Sequence, residues 1–78
     1  MKLSEAPVGC TLSVEQAELD AKTALRLSEI GLRPGCVVCV MQRTAFGGTV
    51  VACGGHRLAL DKRIASRVLT RPVTVQAA

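Results

Sequence analysis

The chain has 78 residues, of which 49% are apolar, and its formal net charge is +4. This apolar content excludes intrinsic disorder, and the length predicts a single domain with a compact core. Because Phe46 is the only aromatic residue, that core must be built from aliphatic side chains.

The ten basic residues are dispersed along the sequence. Nucleic-acid binders cluster their Lys and Arg against phosphates, and single-strand binders add aromatic side chains on which bases stack. A chain with one aromatic residue offers no such platform, so we expect no nucleic-acid partner. The charge indicates a solvated basic surface, with an acidic protein partner or docking near a membrane as alternatives.

Two features predict a cytoplasmic protein without direct membrane insertion. The first residues, Met1 to Pro7, lack the apolar run of a signal peptide. The longest apolar run, Cys36 to Met41, has six residues, whereas a membrane helix needs about 20. In a reducing compartment the four cysteines are expected to be free thiols or metal ligands and not disulfides.

The first half of the chain predicts a strand and then a helix. Gly9 to Val14 alternates loosely between apolar and polar residues, as a half-buried strand does. From Asp20 to Ile30 the apolar spacing becomes helical, with Asp20 at a position where helix starts favour an acid. Gly31 can adopt the left-handed conformation that ends a helix. Arg33-Pro-Gly-Cys36 then has the proline and glycine of a type II turn.

The second half predicts a three-stranded meander. Its strands are Cys36 to Arg43, Thr49 to Cys53 and His56 to Leu60, separated by glycine pairs. Asp61 to Val68 predicts one or two helical turns with Asp61 as N-cap, and Leu69 to Val75 predicts a last extended segment. About five short strands and one helix indicate a mainly β protein forming a small closed or half-closed barrel.

The ordered pieces together resemble the FeoA family over nearly the whole chain. They are Leu27-Ser-Glu-Ile-Gly-Leu-Arg-Pro-Gly35, a valine-rich strand, a Gly-Gly hairpin, and Arg57-Leu-Ala-Leu60 before a short basic helix. The resemblance implies an SH3-like barrel that works beside FeoB, a membrane ferrous-iron transporter with a cytosolic GTP-binding domain. It also implies a role in regulating or assembling that transporter. Thr44-Ala-Phe46 and Thr49 depart from the usual family sequence around the hairpin glycines.

The sequence contains no catalytic constellation. Neither glycine pair is followed by the lysine of a phosphate-binding loop. His56 is the only histidine, so Cys53 with His56 is the one conceivable nucleophile and base, and no third residue orients them. We therefore predict that the protein is not an enzyme and requires no cofactor.

Metal binding is the alternative function, as a carrier or sensor of zinc or ferrous iron. Cys36-Val-Val-Cys39 and Cys53-Gly-Gly-His56 resemble the spacing of a zinc ribbon. Cys36 and Cys39 lie in one strand, where a separation of three residues sends their side chains to opposite faces. A hairpin that folds Cys53 back toward Met41 would leave three possible ligands, Cys39, Cys53 and His56. Inert buried thiols are the other interpretation.

An adaptor acts through its surface, and the residues that flank the turns are the candidates. The predicted partner-binding residues are Leu32, Arg33, Phe46 and Arg57. Phe46, a lone aromatic at a hairpin tip, either closes the mouth of the barrel or anchors an interface.

Overall fold

Residues 1–73 of the chain are described by a computed structural model. Five antiparallel strands form one sheet in the order β4-β3-β2-β1-β5, so β4 and β5 are its terminal strands. The five strands, the main helix and the short helical turn confirm the predicted mainly β content. The elements are β1 (Thr11–Ala17), α1 (Ala21–Glu29), β2 (Val37–Arg43), β3 (Thr49–Cys53), β4 (His56–Leu60), α2 (Lys62–Ala65) and β5 (Val68–Pro72).

Strand β1 begins and ends later than the predicted strand, Gly9 to Val14. Gly9 has a φ of +90°, which places it in a turn and delays the strand to Thr11. At the other end the pairing with β5 shifts between Val14 and Gln16. This β-bulge lets β1 continue to Ala17 while it stays paired with β5.

Helix α1 has the start and the end that the sequence predicts. The carboxylate of Asp20 accepts a hydrogen bond from the backbone N–H of Thr23 at 2.8 Å. The pKa of Asp20 is lowered, first by the side chain of Thr23 and second by this backbone bond. At the other end Gly31 has a φ of +101°. The N–H groups of Gly31 and Leu32 donate to the carbonyls of Ser28 and Leu27, which is a Schellman motif.

Gly31→Ala is expected to lower the unfolding free energy by about 1–2 kcal/mol, because the left-handed conformation strains a Cβ-bearing residue. A Cβ at Gly31 would lie 3.6 Å from the Cys53 sulfur, an ordinary contact, so steric overlap is not the cause. Gly31→Asn is the control, since Asn tolerates this conformation. Urea unfolding of both variants should show the smaller loss for Asn, and equal losses would contradict a backbone cause.

The turns around the meander also match the sequence. The N–H of Cys36 donates to the carbonyl of Arg33 at 3.1 Å, and Gly35 has the positive φ of a type II turn. Gly54 and Gly55 both have positive φ, as a two-residue type I′ hairpin requires. Asp61 caps α2, and β5 begins at Val68, one residue before the extended segment predicted from Leu69. Residues 74 and 75 of that prediction lie outside the described residues.

The core lies on the inner face of the sheet and is aliphatic, as the composition predicts. One contributor was not predicted from the sequence: a 3₁₀ helix at Leu3–Glu5 carries the fully buried side chain of Leu3. Lys2 forms a bridge with Leu69, so this segment lies beside β5. The largest fully buried side chains are Leu3, Leu12, Val14, Val38, Val40, Val51, Val68, Thr49 and Thr70.

The side chain of Arg43 joins the N-terminal segment, Leu3 to Ala6, to the sheet by hydrogen bonds. Its guanidinium donates hydrogen bonds to the backbone carbonyls of Leu3 and Ala6. It also donates to the hydroxyl of the buried Thr49 at 3.0 Å. One charged group at the end of β2 therefore binds the carbonyls of the first residue of the 3₁₀ helix and of its C-cap, together with a core threonine.

Candidate functional site

A cleft of about 920 Å³ lies between the end of α1, the turn before β2 and the hairpin that joins β3 to β4. Its walls combine charged, apolar and thiol groups, so it can contact a protein segment or hold a small ligand. Its lining includes the charged, thiol and imidazole side chains of Glu29, Arg33, Cys36, Cys53, His56 and Arg57.

Two of the four predicted partner-binding residues, Arg33 and Arg57, line this cleft and are exposed. The prediction that Leu32 binds a partner is wrong, because its side chain is only 4% exposed and belongs to the core. It occupies the position after Gly31 in the Schellman motif, where an apolar side chain packs back onto the last turn of the helix. Leu32 therefore positions Arg33 but offers no surface to a partner.

Phe46 lies at the tip of the β2–β3 hairpin and is 92% exposed. Thr44 shapes this tip, since its N–H donates to the carbonyl of Gly48 and its hydroxyl accepts from the N–H of Gly48. The interpretation that Phe46 closes the barrel mouth is wrong. Its ring borders a shallow hollow that also includes Ala59 and Leu60 of β4.

Strand β4 connects these two places. His56 and Arg57 at its start line the cleft, whereas Ala59 and Leu60 at its end lie in the hollow beside Phe46. Among residues 1–73, β4 is a terminal strand that pairs with β3 alone, so its outer backbone edge can accept an extended segment. We call β4 together with Arg33 and Phe46 the β4 surface.

The predicted metal-ligand set of Cys39, Cys53 and His56 is wrong. Cys39 pairs with Ala52, so Cys53 is one position out of register and lies on the opposite face of the sheet. Cys53 is buried on the inner face, whereas Cys39 shares the outer face with exposed Val37. Within residues 1–73 no three His, Cys, Asp or Glu side chains already stand as a group that could hold a metal ion.

A different pair of thiols meets at the floor of the cleft, Cys36 and Cys53. The buried Cys53 sulfur lies 3.4 Å from the carbonyl oxygen of Gly31, to which its S–H donates. Burial raises the pKa of Cys53, as do the charge and the hydrogen bond of the neighbouring Cys36 thiol, while Arg33 acts in the opposite direction. The alternation of side chains along a strand would have identified Cys36 as the neighbour of Cys53 if the register of β2 against β3 had been known.

The curled five-stranded sheet with its short helices is an SH3-like domain, the term also used for a similar FeoA structure. A family model described as the FeoA domain matches residues 1–72. The chain belongs to the FeoA family, which is associated with ferrous-iron transport. None of the curated proteins matches the sequence.

Solved structures of FeoA proteins are similar over nearly the whole chain. FeoA from Stenotrophomonas maltophilia, described as a prokaryotic SH3 domain protein complexed with zinc, is 34% identical, with 91% of this chain and 89% of that chain covered and a TM-score of 0.73. An iron uptake regulatory protein (FeoA) is 29% identical, with coverages of 94% and 97% and a TM-score of 0.84. FeoA from Chlorobium tepidum, at 24% identity, 99% and 74% coverage and a TM-score of 0.89, shares the fold.

FeoA proteins are small accessory proteins of iron transport. In the described part of this chain no helix is long and apolar enough to cross a membrane. An accessory protein acts through its surface. The β4 surface contains three of the four predicted partner-binding residues, Arg33, Phe46 and Arg57.

Proposed function

We propose that this protein is an adaptor of ferrous-iron transport that binds the cytosolic GTPase part of a FeoB-type transporter through the β4 surface, and so regulates or helps to assemble it. The observation that carries the proposal is the arrangement of Arg33 and Arg57 at one end of β4, a terminal strand of the described sheet, and an exposed Phe46 at the other end.

The chemistry of this surface suits a protein segment. Arg and aromatic side chains are enriched among the residues that dominate binding energy. An extended segment added beside β4 would gain backbone hydrogen bonds along the strand and side-chain contacts at both ends. Recognition of a proline-rich peptide, which needs an aromatic-lined groove, does not fit a chain whose one aromatic residue is Phe46.

Charge complementarity specifies the partner further. Arg33, Arg57 and Glu29 give the cleft a net positive charge, in agreement with the positive charge of the chain. An acidic segment of the transporter would therefore be attracted to the cleft end of β4.

Phe46→Ala is expected to weaken binding to the purified cytosolic domain of the transporter by about tenfold or more, the loss typical of an aromatic anchor. Stability should stay within about 0.5 kcal/mol of wild type, because the ring is almost fully exposed. Leu25→Ala, at a 60% exposed apolar residue on α1, is the matched control and should bind normally. Calorimetric titration measures the affinities; no association of wild type would contradict the function, and equal losses in both variants would contradict the surface.

A further inference from the structure

The Cys36 and Cys53 thiols lie on one face of the sheet. Inward residues of β2 are Val38 and Val40, so Cys36, one residue before the strand, has the same parity. Cys53 also points inward, and both thiols line the floor of the cleft. The sulfur atom of Cys53 at the end of β3 and that of Cys36 just before β2 therefore lie together, and solvent reaches them at half-buried Cys36.

The two thiols are close enough to share one ion. Both cysteines are free, and the thiol of Cys36 is a hydrogen-bond neighbour of the thiol of Cys53. An ion bound about 2.3 Å from each sulfur would join them.

His56 offers a third donor. It pairs directly with Cys53 across the type I′ turn, so the two side chains lie on the same side of the hairpin. Its ring lines the same cleft and is exposed, which leaves it free to turn toward the sulfur atoms. Two thiolates would neutralise a divalent ion, so the nearby Arg33 does not oppose its binding.

We propose that Cys36, Cys53 and His56 form a binding site for a thiophilic d¹⁰ metal ion, Zn²⁺ in the first place, with an open fourth position. Thiolate and imidazole are the ligands that zinc prefers, and such a set binds Zn²⁺ more tightly than Fe²⁺. The site therefore differs from one for the transported iron, and it does not depend on the proposed binding to the transporter.

The test is a titration of reduced, metal-free protein with Zn²⁺ in competition with a chromophoric chelator. We expect one ion per chain, and Co²⁺ in the same site should give the absorption of a thiolate-to-metal charge transfer. Cys36→Ser and Cys53→Ala should each weaken Zn²⁺ binding by at least about 100-fold, since loss of a direct ligand costs more than the 10–100-fold typical of outer groups. His56→Ala should also weaken it by at least about 100-fold, because His56 is a direct ligand too.

Cys39→Ser is the matched control, because Cys39 lies on β2 but faces outward, and it should bind Zn²⁺ like wild type. Circular dichroism of the metal-free variants checks their folding, and half-buried Cys36 keeps the test valid if Cys53→Ala does not fold. Absence of Zn²⁺ binding by wild type would overturn the proposal. So would an equal loss in Cys39→Ser and Cys36→Ser.

Discussion

Arg43→Met is expected to lower the free energy of unfolding by about 3 kcal/mol. Hydrogen bonds from a charged donor contribute about 1.5–3 kcal/mol each, and a buried acceptor left without its partner adds a desolvation cost. Methionine keeps much of the aliphatic volume but removes the donors to the carbonyls of Leu3 and Ala6 and to the Thr49 hydroxyl. For a domain of this size that loss is a large part of the total stability.

The measurement is urea unfolding followed by circular dichroism. Arg71→Met is the control, since Arg71 on β5 is 72% exposed and has only a 3.5 Å ion pair with Glu15. A surface pair of this kind contributes little, so this variant should stay within about 0.5 kcal/mol of wild type. If Arg43→Met lost no more than Arg71→Met, Arg43 would not hold the N-terminal segment.

The double variant Arg33→Glu/Arg57→Glu is expected to bind the cytosolic domain of the FeoB-type transporter at least about 100-fold more weakly than wild type. Truncating a charge in an interface costs about 2–5 kcal/mol, and reversing it adds repulsion against an acidic segment. Both side chains are exposed, so the fold should be unaffected.

Arg26→Glu/Arg71→Glu is the control for net charge. Both its positions are exposed, neither lines the cleft nor the hollow beside Phe46, and the two double variants carry the same net charge. Titrations at two salt concentrations separate local contacts from long-range attraction, which salt screens. Equal weakening in both variants would mean that the partner responds to overall charge and not to the cleft.

Local chemistry made much of the fold predictable from the sequence. Asp20 and Asp61 mark the starts of the two helices because their carboxylates accept the free N–H groups of a first turn. Gly31 marks an end and Gly54-Gly55 a hairpin because only such residues adopt positive φ at little cost. These signals act within four or five residues, so they hold without knowledge of the rest of the chain.

Burial and strand register were decided by the tertiary structure. Leu32 and Arg33 are adjacent and both follow a helix end, yet one is in the core and the other lines the cleft. Leu3 is buried because Arg43, forty positions along the chain, holds its segment in place. Contacts across such separations leave no periodic pattern in the sequence.

The cysteines show most clearly which properties follow from the sequence and which depend on the tertiary structure. The sequence by itself determined that Cys36 and Cys39 point to opposite faces, because strand side chains alternate. Only the tertiary structure decided which of them shares a face with Cys53. The pairing of β2 with β3 shifts between Val40 and Gln42, and without that bulge Cys39 would lie opposite Cys53. One extra residue at Met41 reverses the parity of the pairing, and so it is Cys36 that meets Cys53 in the cleft.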